Sequence, residues 1–297
     1  MKKHFFATMA CSLALLLSAL PVMAACGGNT DEDDDTTIVL PDQDTQFPEL
    51  PEEALPDEGG QPDSPEAPEE SPEQPEPEPD VPDVSLHAEY VLVNTNGLNV
   101  RRGAGTSHPS LGQVDRGDML HLAGKKGDWY ETRYRGGTAY VSAKTAYTSV
   151  AKLEKADEAI ERVIDEGLSL LGVPYVYGAV RLHDGRGNFL KNFTTDAFDC
   201  SSLMQYIFYK GAGILLDVTT RTQVKQGTPV EWKDIRRGDL LFYTNAQRYN
   251  KTGVERIGHV ALYLGENYIL HTASDYAVIE QMSATRQKYF ITGRRVL

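Results

Sequence analysis

The stretch Phe198-Asp-Cys-Ser-Ser-Leu-Met-Gln-Tyr206 puts a thiol, Cys200, where an irregular segment gives way to an apolar-periodic one. Leu203, Met204, Ile207 and Phe208 recur at helical spacing, so a helix is expected from Ser201 to about Lys210, with Asp199 as its cap. A thiol at a helix N-terminus feels the positive end of the dipole, which lowers its pKa and favours the nucleophilic thiolate. Such a nucleophile needs a base. His259 opens the run Gly258-His-Val-Ala-Leu-Tyr-Leu-Gly265, and His271 ends the next one in Ile269-Leu-His-Thr272. A strand, a tight turn at Gly265-Glu-Asn267 and a returning strand would set the two imidazoles side by side, the second holding the first in its working tautomer. Each residue also has a plainer reading. A lone cysteine on a helix is usually just buried, a strand histidine is usually a satisfied polar group, and Cys-His-His can ligate zinc. A catalytic zinc needs no helix-capping thiol, so neither a metal nor a cofactor is expected.

The elements around these residues fall into two units. From 87 to 150 short β-rich runs at Leu98–Arg101, Met119–Ala123, Trp129–Tyr134 and Thr138–Val141 alternate with glycine turns, which suggests a small all-β barrel with Trp129 and Tyr140 in its core. From 151 to 297 an amphipathic helix comes first, with Ile160, Val163, Ile164, Leu168 and Leu171 at helical spacing and Gly172 and Pro174 as its stop. The helix at Cys200 is next. Strands are then expected at Asp239–Tyr243, His259–Leu264, Tyr268–Leu270, Ala277–Glu280 and Ile291–Val296. Helices followed by a meandering sheet give an α+β domain.

The chain has 297 residues and a formal net charge of −14. That charge comes from one segment. Residues 27–85 hold 21 Asp and Glu, no Lys or Arg, and 12 of the 16 prolines. The remainder of the chain, from Leu86 on, is mildly basic, and nothing in it suggests a nucleic-acid partner. A like-charged, proline-rich segment cannot bury enough apolar surface to fold, so 27–86 is expected to be a disordered linker. In polyproline form it would reach on the order of 180 Å. Residues 1–26 read as an export signal: Lys2 and Lys3, an apolar run to about Leu20, then Ala24 and Ala25 before Cys26. Met23-Ala-Ala-Cys26 resembles the lipobox of bacterial lipoproteins, which implies acylation of Cys26 and a membrane anchor on an exported protein. With Cys11 lost with the signal and Cys26 lipidated, Cys200 has no disulfide partner.

Leu98-Asn-Val-Arg-Arg-Gly103, Gly127-Asp-Trp-Tyr130 and Thr138-Ala-Tyr-Val-Ser142 resemble the bacterial Src-homology-3-like domain of cell-wall proteins. That resemblance implies wall targeting, or shaping of a neighbouring site. Pro174-Tyr-Val-Tyr-Gly178, Phe198-Asp-Cys-Ser201, Thr220 to Gln223, Arg237-Gly-Asp-Leu240, Gly258-His-Val260 and His271 occur in the order of the NlpC/P60 cell-wall cysteine peptidases. This second resemblance implies a papain-like fold, a helix bearing the cysteine packed on an antiparallel sheet. It implies Cys200 as nucleophile, His259 as base and His271 as its orienting partner. Tyr175 matches a tyrosine whose hydroxyl lies near the thiol, and Asp199 and Ser201 match positions that bind the substrate's amino end. The implied reaction is hydrolysis of peptidoglycan stem peptides or muropeptides, at the bond between γ-linked D-glutamate and the diamino acid. Two other functions fit the same residues: a wall-binding lipoprotein with an impaired site, and a transferase working through the same thioester.

Three places depart from the family pattern. Ser202 stands where a glycine is usual. Leu216-Asp-Val218 lacks a usual arginine. The segment from Ala179 to Ala197 is long, and its Gly185 and Gly187 suggest a mobile flap at the cleft rim.

Overall fold

The computed structural model describes residues 86–273 and 275–297. The expected signal, the expected lipidation site Cys26 and the acidic segment up to Ser85 lie outside the described residues.

Eight short strands come first: β1 (His87–Val93), β2 (Leu98–Arg101), β3 (Ser110–Val114), β4 (Met119–His121), β5 (Gly124–Lys126), β6 (Trp129–Tyr134), β7 (Gly137–Ser142) and β8 (Thr148–Glu154). Helices α1 (Glu158–Ser169), α2 (Cys200–Ala212) and α3 (Thr220–Gln223) come next. Then come β9 (Thr228–Val230), β10 (Leu240–Tyr243), β11 (His259–Gly265), β12 (Tyr268–Ala273), β13 (Tyr276–Gln281), the short α4 (Ala284–Lys288) and β14 (Phe290–Arg295). This is a papain-like α+β domain preceded by a small β domain.

The barrel expected of the first unit divides its strands between two sheets. Five form their own sheet in the order β3-β2-β7-β6-β5. The other three join the sheet of the second unit, in the order β8-β1-β4-β13-β12-β11-β10-β14-β9. The splice is narrow: Met119 of β4 opposes Ile279 of β13. Around it the units are fastened by polar contacts. Arg133 grips Asp165 with two bonds of 2.6 and 2.9 Å, and Arg135 Nε donates to Gly172 O at 2.8 Å. Gly172 has φ +80°, and a Cβ there would lie 2.1 Å from the Tyr134 ring, so only glycine lets the two units approach this closely. Trp129 and Tyr140, expected in the barrel core, are only half-buried, and the Tyr140 hydroxyl donates to Glu131 at 2.9 Å. Val100, Tyr134, Ala139 and Val141 fill that core instead.

In the second unit the sheet is covered on both faces, and the period of two along each strand sorts the residues. Leu240 and Phe242 of β10, with Val260, Leu262 and Leu264 of β11, pack in the core beneath the helices. Leu241, Tyr243, Ala261, Ile269 and Met282 form a second cluster on the opposite face. Helix α2 starts at the thiol because Asp199 and Ser202 form a capping box: Ser202 N–H donates to Asp199 Oδ1 at 2.9 Å, and Asp199 N–H donates to Ser202 Oγ at 2.9 Å. The serine that replaces glycine is therefore part of the cap. The helix ends at Gly213, φ +70°. It buries Leu203, Met204, Ile207 and Phe208 completely, each contributing on the order of 1.5–3 kcal/mol. Gly211 lets α1 approach, since a Cβ there would sit 2.5 Å from Val163 Cα.

Candidate active site

Cys200 is the first residue of α2 and is 9% exposed. Its sulfur accepts hydrogen bonds from the main-chain N–H groups of Val260 and Ser201. Val260 directly follows His259, so the thiol sits at the start of β11. Depression of its pKa by the helix terminus was the expectation, and the structure reverses it. Burial above all, and then the charge of the capping Asp199, push the Cys200 thiol up to about 12. The two N–H groups and the Arg181 guanidinium pull the other way with less effect. The cap that starts the helix also supplies the anion that opposes its dipole.

The hairpin brings His259 and His271 together. Glu266 and Asn267 turn with φ of +48° and +65°, as a two-residue hairpin loop requires. Leu262 then opposes Leu270, making the two histidines diagonal neighbours on one sheet face. His259 Nε2 lies 2.9 Å from His271 Nδ1. Burial first, and each other's company second, hold His259 well below the ordinary imidazole range. His271 is lowered too, chiefly by burial. Both rings are therefore neutral at neutral pH. Among the described residues, no group of three or more His, Cys, Asp or Glu side chains is arranged to hold a metal ion.

Two residues that sequence reasoning did not single out extend this series. Glu280 Oε1 is 3.0 Å from His271 Nε2, and Arg286 Nη2 is 2.9 Å from the same oxygen. Glu280 shares the sheet face of His259 and His271, two residues on from Val278, which opposes His271. Period-two counting back from the hairpin was the signal available for it. Arg286 comes from α4, and no spacing announces it.

Tyr175 is half-buried, and its phenol is raised by burial first and by the charge of Cys200 second. Asp199 and Ser201 are turned inward, 4% and 3% exposed. Asp199 Oδ1 accepts from Ser201 Oγ at 3.0 Å as well as from Ser202 N–H. Asp199 Oδ2 accepts from Gly178 N–H at 3.2 Å and pairs with Arg181 at 2.7 Å. Arg181 belongs to the long Ala179–Ala197 segment. Side chains at several points hold that segment to the domain. His183 is buried, its Nε2 2.9 Å from Leu216 O, and Gln205 meets both that nitrogen and Leu182 N–H. Phe193 stacks on Tyr206, 5.7 Å between centroids.

Residues 172–295 match the model of the NlpC/P60 family, and residues 96–147 that of the bacterial SH3 domain. The chain carries an NlpC/P60 domain. Among curated proteins this chain is similar to the peptidoglycan endopeptidase RipA of Mycolicibacterium smegmatis, 37% identical over 113 residues, which cover 38% of this chain and 21% of that protein. It is 28% identical over 198 residues to the gamma-DL-glutamyl hydrolase of Bacillus subtilis, covering 65% of this chain and 42% of that one. It is 28% identical over 171 residues to the gamma-D-glutamyl-L-lysine dipeptidyl-peptidase of the same species, covering 58% of this chain and 50% of that one. The chain thus spans between a fifth and a half of the length of these relatives.

Proposed function

We propose that this NlpC/P60 domain hydrolyses peptidoglycan stem peptides, with Cys200 as nucleophile, His259 as general base and His271 as its orienting partner. The observation that carries the reading is the 2.9 Å bond between His259 and His271, on the strand whose Val260 N–H points at the Cys200 sulfur. The bond cut is the one between γ-D-glutamate and the diamino acid, a reading supported by the gamma-D-glutamyl-L-lysine dipeptidyl-peptidase among the relatives.

With the thiol raised and the imidazole lowered, catalysis in this reading starts from a neutral pair. The proton passes to His259 as the sulfur attacks the amide carbonyl, so the pair works by general base catalysis and not from a preformed ion pair. Collapse of the tetrahedral adduct breaks the C–N bond, His259 returns the proton to the departing amine, and a thioester remains. Water, deprotonated by the same histidine, hydrolyses the thioester and restores the thiol.

In this reading Tyr175 sets its hydroxyl near the thiol. Asp199 and Ser201 would meet the substrate's amino end, but Arg181 already holds the carboxylate, and an incoming ammonium has to compete with a guanidinium there. The membrane anchor at Cys26 and the tether after it belong to the same proposal, with the enzyme exported and facing the wall.

Incubating the full-length protein with purified muropeptides and weighing the products tests this. Cleaved peptide is the expected result. Conjugates to an added amine would make it a transferase, and binding without turnover would make it a wall-binding module.

A further inference from the structure

Glu280 lies on β13, outside the six motifs that carry the family resemblance. Its carboxylate is 34% exposed, Arg286 is 24% exposed and His271 is 1% exposed. We propose that Glu280 is a positioning residue: clamped by Arg286, it sets the tautomers of His271 and His259 in series and leaves the bare nitrogen of His259 toward the thiol. This role rests on Cys200 and His259 acting as the proposed nucleophile and base.

The argument is a count of protons. An ionised carboxylate only accepts, so the proton of neutral His271 must sit on Nε2, 3.0 Å away. Nδ1 of His271 is then bare. The 2.9 Å contact from that nitrogen to His259 Nε2 is a hydrogen bond only if His259 carries its proton on Nε2. Nδ1 of His259 is left bare. It is also the ring nitrogen nearer the main chain, where Val260 N–H meets the sulfur. Reversing His271 reverses the series: its Nδ1–H would face His259, His259 would keep its proton on Nδ1, and no base would face the thiol.

Glu280 must stay ionised for this to work. Burial on its own would raise it, yet the bond from His271, the charge His271 carries when protonated, and the charge and bond of Arg286 prevail and hold it at about 2. Arg286 is itself seated, 5.9 Å over the Tyr243 ring. The other charge that reaches Glu280 is Asp118, just before β4, and it adds no donor. When His259 accepts the thiol proton, nothing passes on to Glu280, whose charge stabilises the imidazolium through His271.

The test uses the full-length protein, a peptide containing γ-D-glutamyl-L-lysine, and the variants Glu280→Leu and Glu280→Gln. Leucine should lower kcat about 100-fold with KM within about two-fold, the scale of a misplaced general base. Glutamine keeps a carbonyl for His271 Nε2–H and should recover about ten-fold of that loss. Nitrogen NMR of the imidazoles should show Nε2–H at both rings in the wild type and a mixed tautomer at His271 with leucine. Wild-type kcat in Glu280→Leu, or an unchanged His271 tautomer there, overturns the proposal. Should the leucine variant fail to fold, Arg286→Gln read by the same two measurements decides it, wild-type values again being the overturning result. Turnover retained by Cys200→Ala would instead sink the thiol mechanism, and the tautomers, read without substrate, would still report on Glu280.

Discussion

Asp199 and Glu280 are both clasped by an arginine, at 2.7 and 2.9 Å, and both lie within one or two side chains of the thiol. Their surroundings differ. Asp199 is 4% exposed, and its two oxygens meet four donors from the helix start, Ser201, Gly178 and Arg181. Glu280 is a third exposed, and one of its oxygens takes both the imidazole and the guanidinium. The first carboxylate is bound into the scaffold, and the second faces a group that must change its protonation during turnover. An arginine–carboxylate pair beside a nucleophile therefore says little until the remaining partners of the carboxylate are counted.

The centre between the two carboxylates should dominate every activity measurement. Cys200→Ser and His259→Ala should each lower kcat/KM by about 10³-fold or more, since nucleophile and base act as a unit. Circular dichroism and a muropeptide assay on the same samples check that activity falls while the fold stays.

Stability should separate the carboxylates next. Asp199→Ala removes a helix cap and leaves Arg181 half-buried without its partner, so urea unfolding should show a loss of roughly 3–5 kcal/mol. Glu280→Gln should lose less than about 1 kcal/mol, the range of a partly exposed ion pair. Equal losses would erase the difference between the two sites.

Specificity should respond to Arg181. Arg181→Met frees Asp199 Oδ2 for a substrate ammonium, so the ratio of kcat/KM for peptides with a free L-alanine amine over muramoyl-capped ones should rise about ten-fold, the value of one charge-assisted bond. An unchanged ratio would remove Asp199 from amine recognition.

The last effect belongs to a third carboxylate. Asp118 accepts from Asp115 N–H, and burial, with a lesser push from Glu280, raises it to about 6. A folded-state pKa above the unfolded one means that ionisation costs folded stability, and that cost grows as pH rises from about 4 to about 6. Asp118→Asn should therefore gain roughly 1–3 kcal/mol at pH 7 and almost nothing at pH 3, by thermal melts at both values.

Much of the second unit was legible because its strands are buried and its helix faces periodic. His259–Gly265 and the start of α2 fall within a residue of their expected places, and Tyr268–Ala273 runs three residues past its expected end. The first unit was read less fully. Ser110–Val114 is only partly buried, Gly124–Lys126 is mostly exposed, neither carries alternation, and β1 and β8 also escaped notice. At the site, Cys200, His259 and His271 stood in recognisable motifs. Arg181 and Arg286 act through partners 18 and 6 residues away in other elements, a relation no local period encodes, and Glu280 shows only when the period is counted on from the register of His271 with Val278. The thiol's pKa was misjudged because the helix dipole was weighed without burial or the cap's own charge.

The single residue pair that joins β4 to β13 has a further consequence for how the molecule meets its neighbours. Two separate sheets would each have ended here in a row of unpaired N–H and C=O groups, the surface on which foreign strands add. Splicing them removes both ends and leaves the long sheet open only at β8 and β9. β9 is three residues long and has Pro229 at its centre, which withholds an N–H. β8 carries Lys152, paired with Glu89 at 2.9 Å, along its exposed length. The nine-stranded sheet is thereby left with one border that is short and broken by proline and one that carries a charged pair.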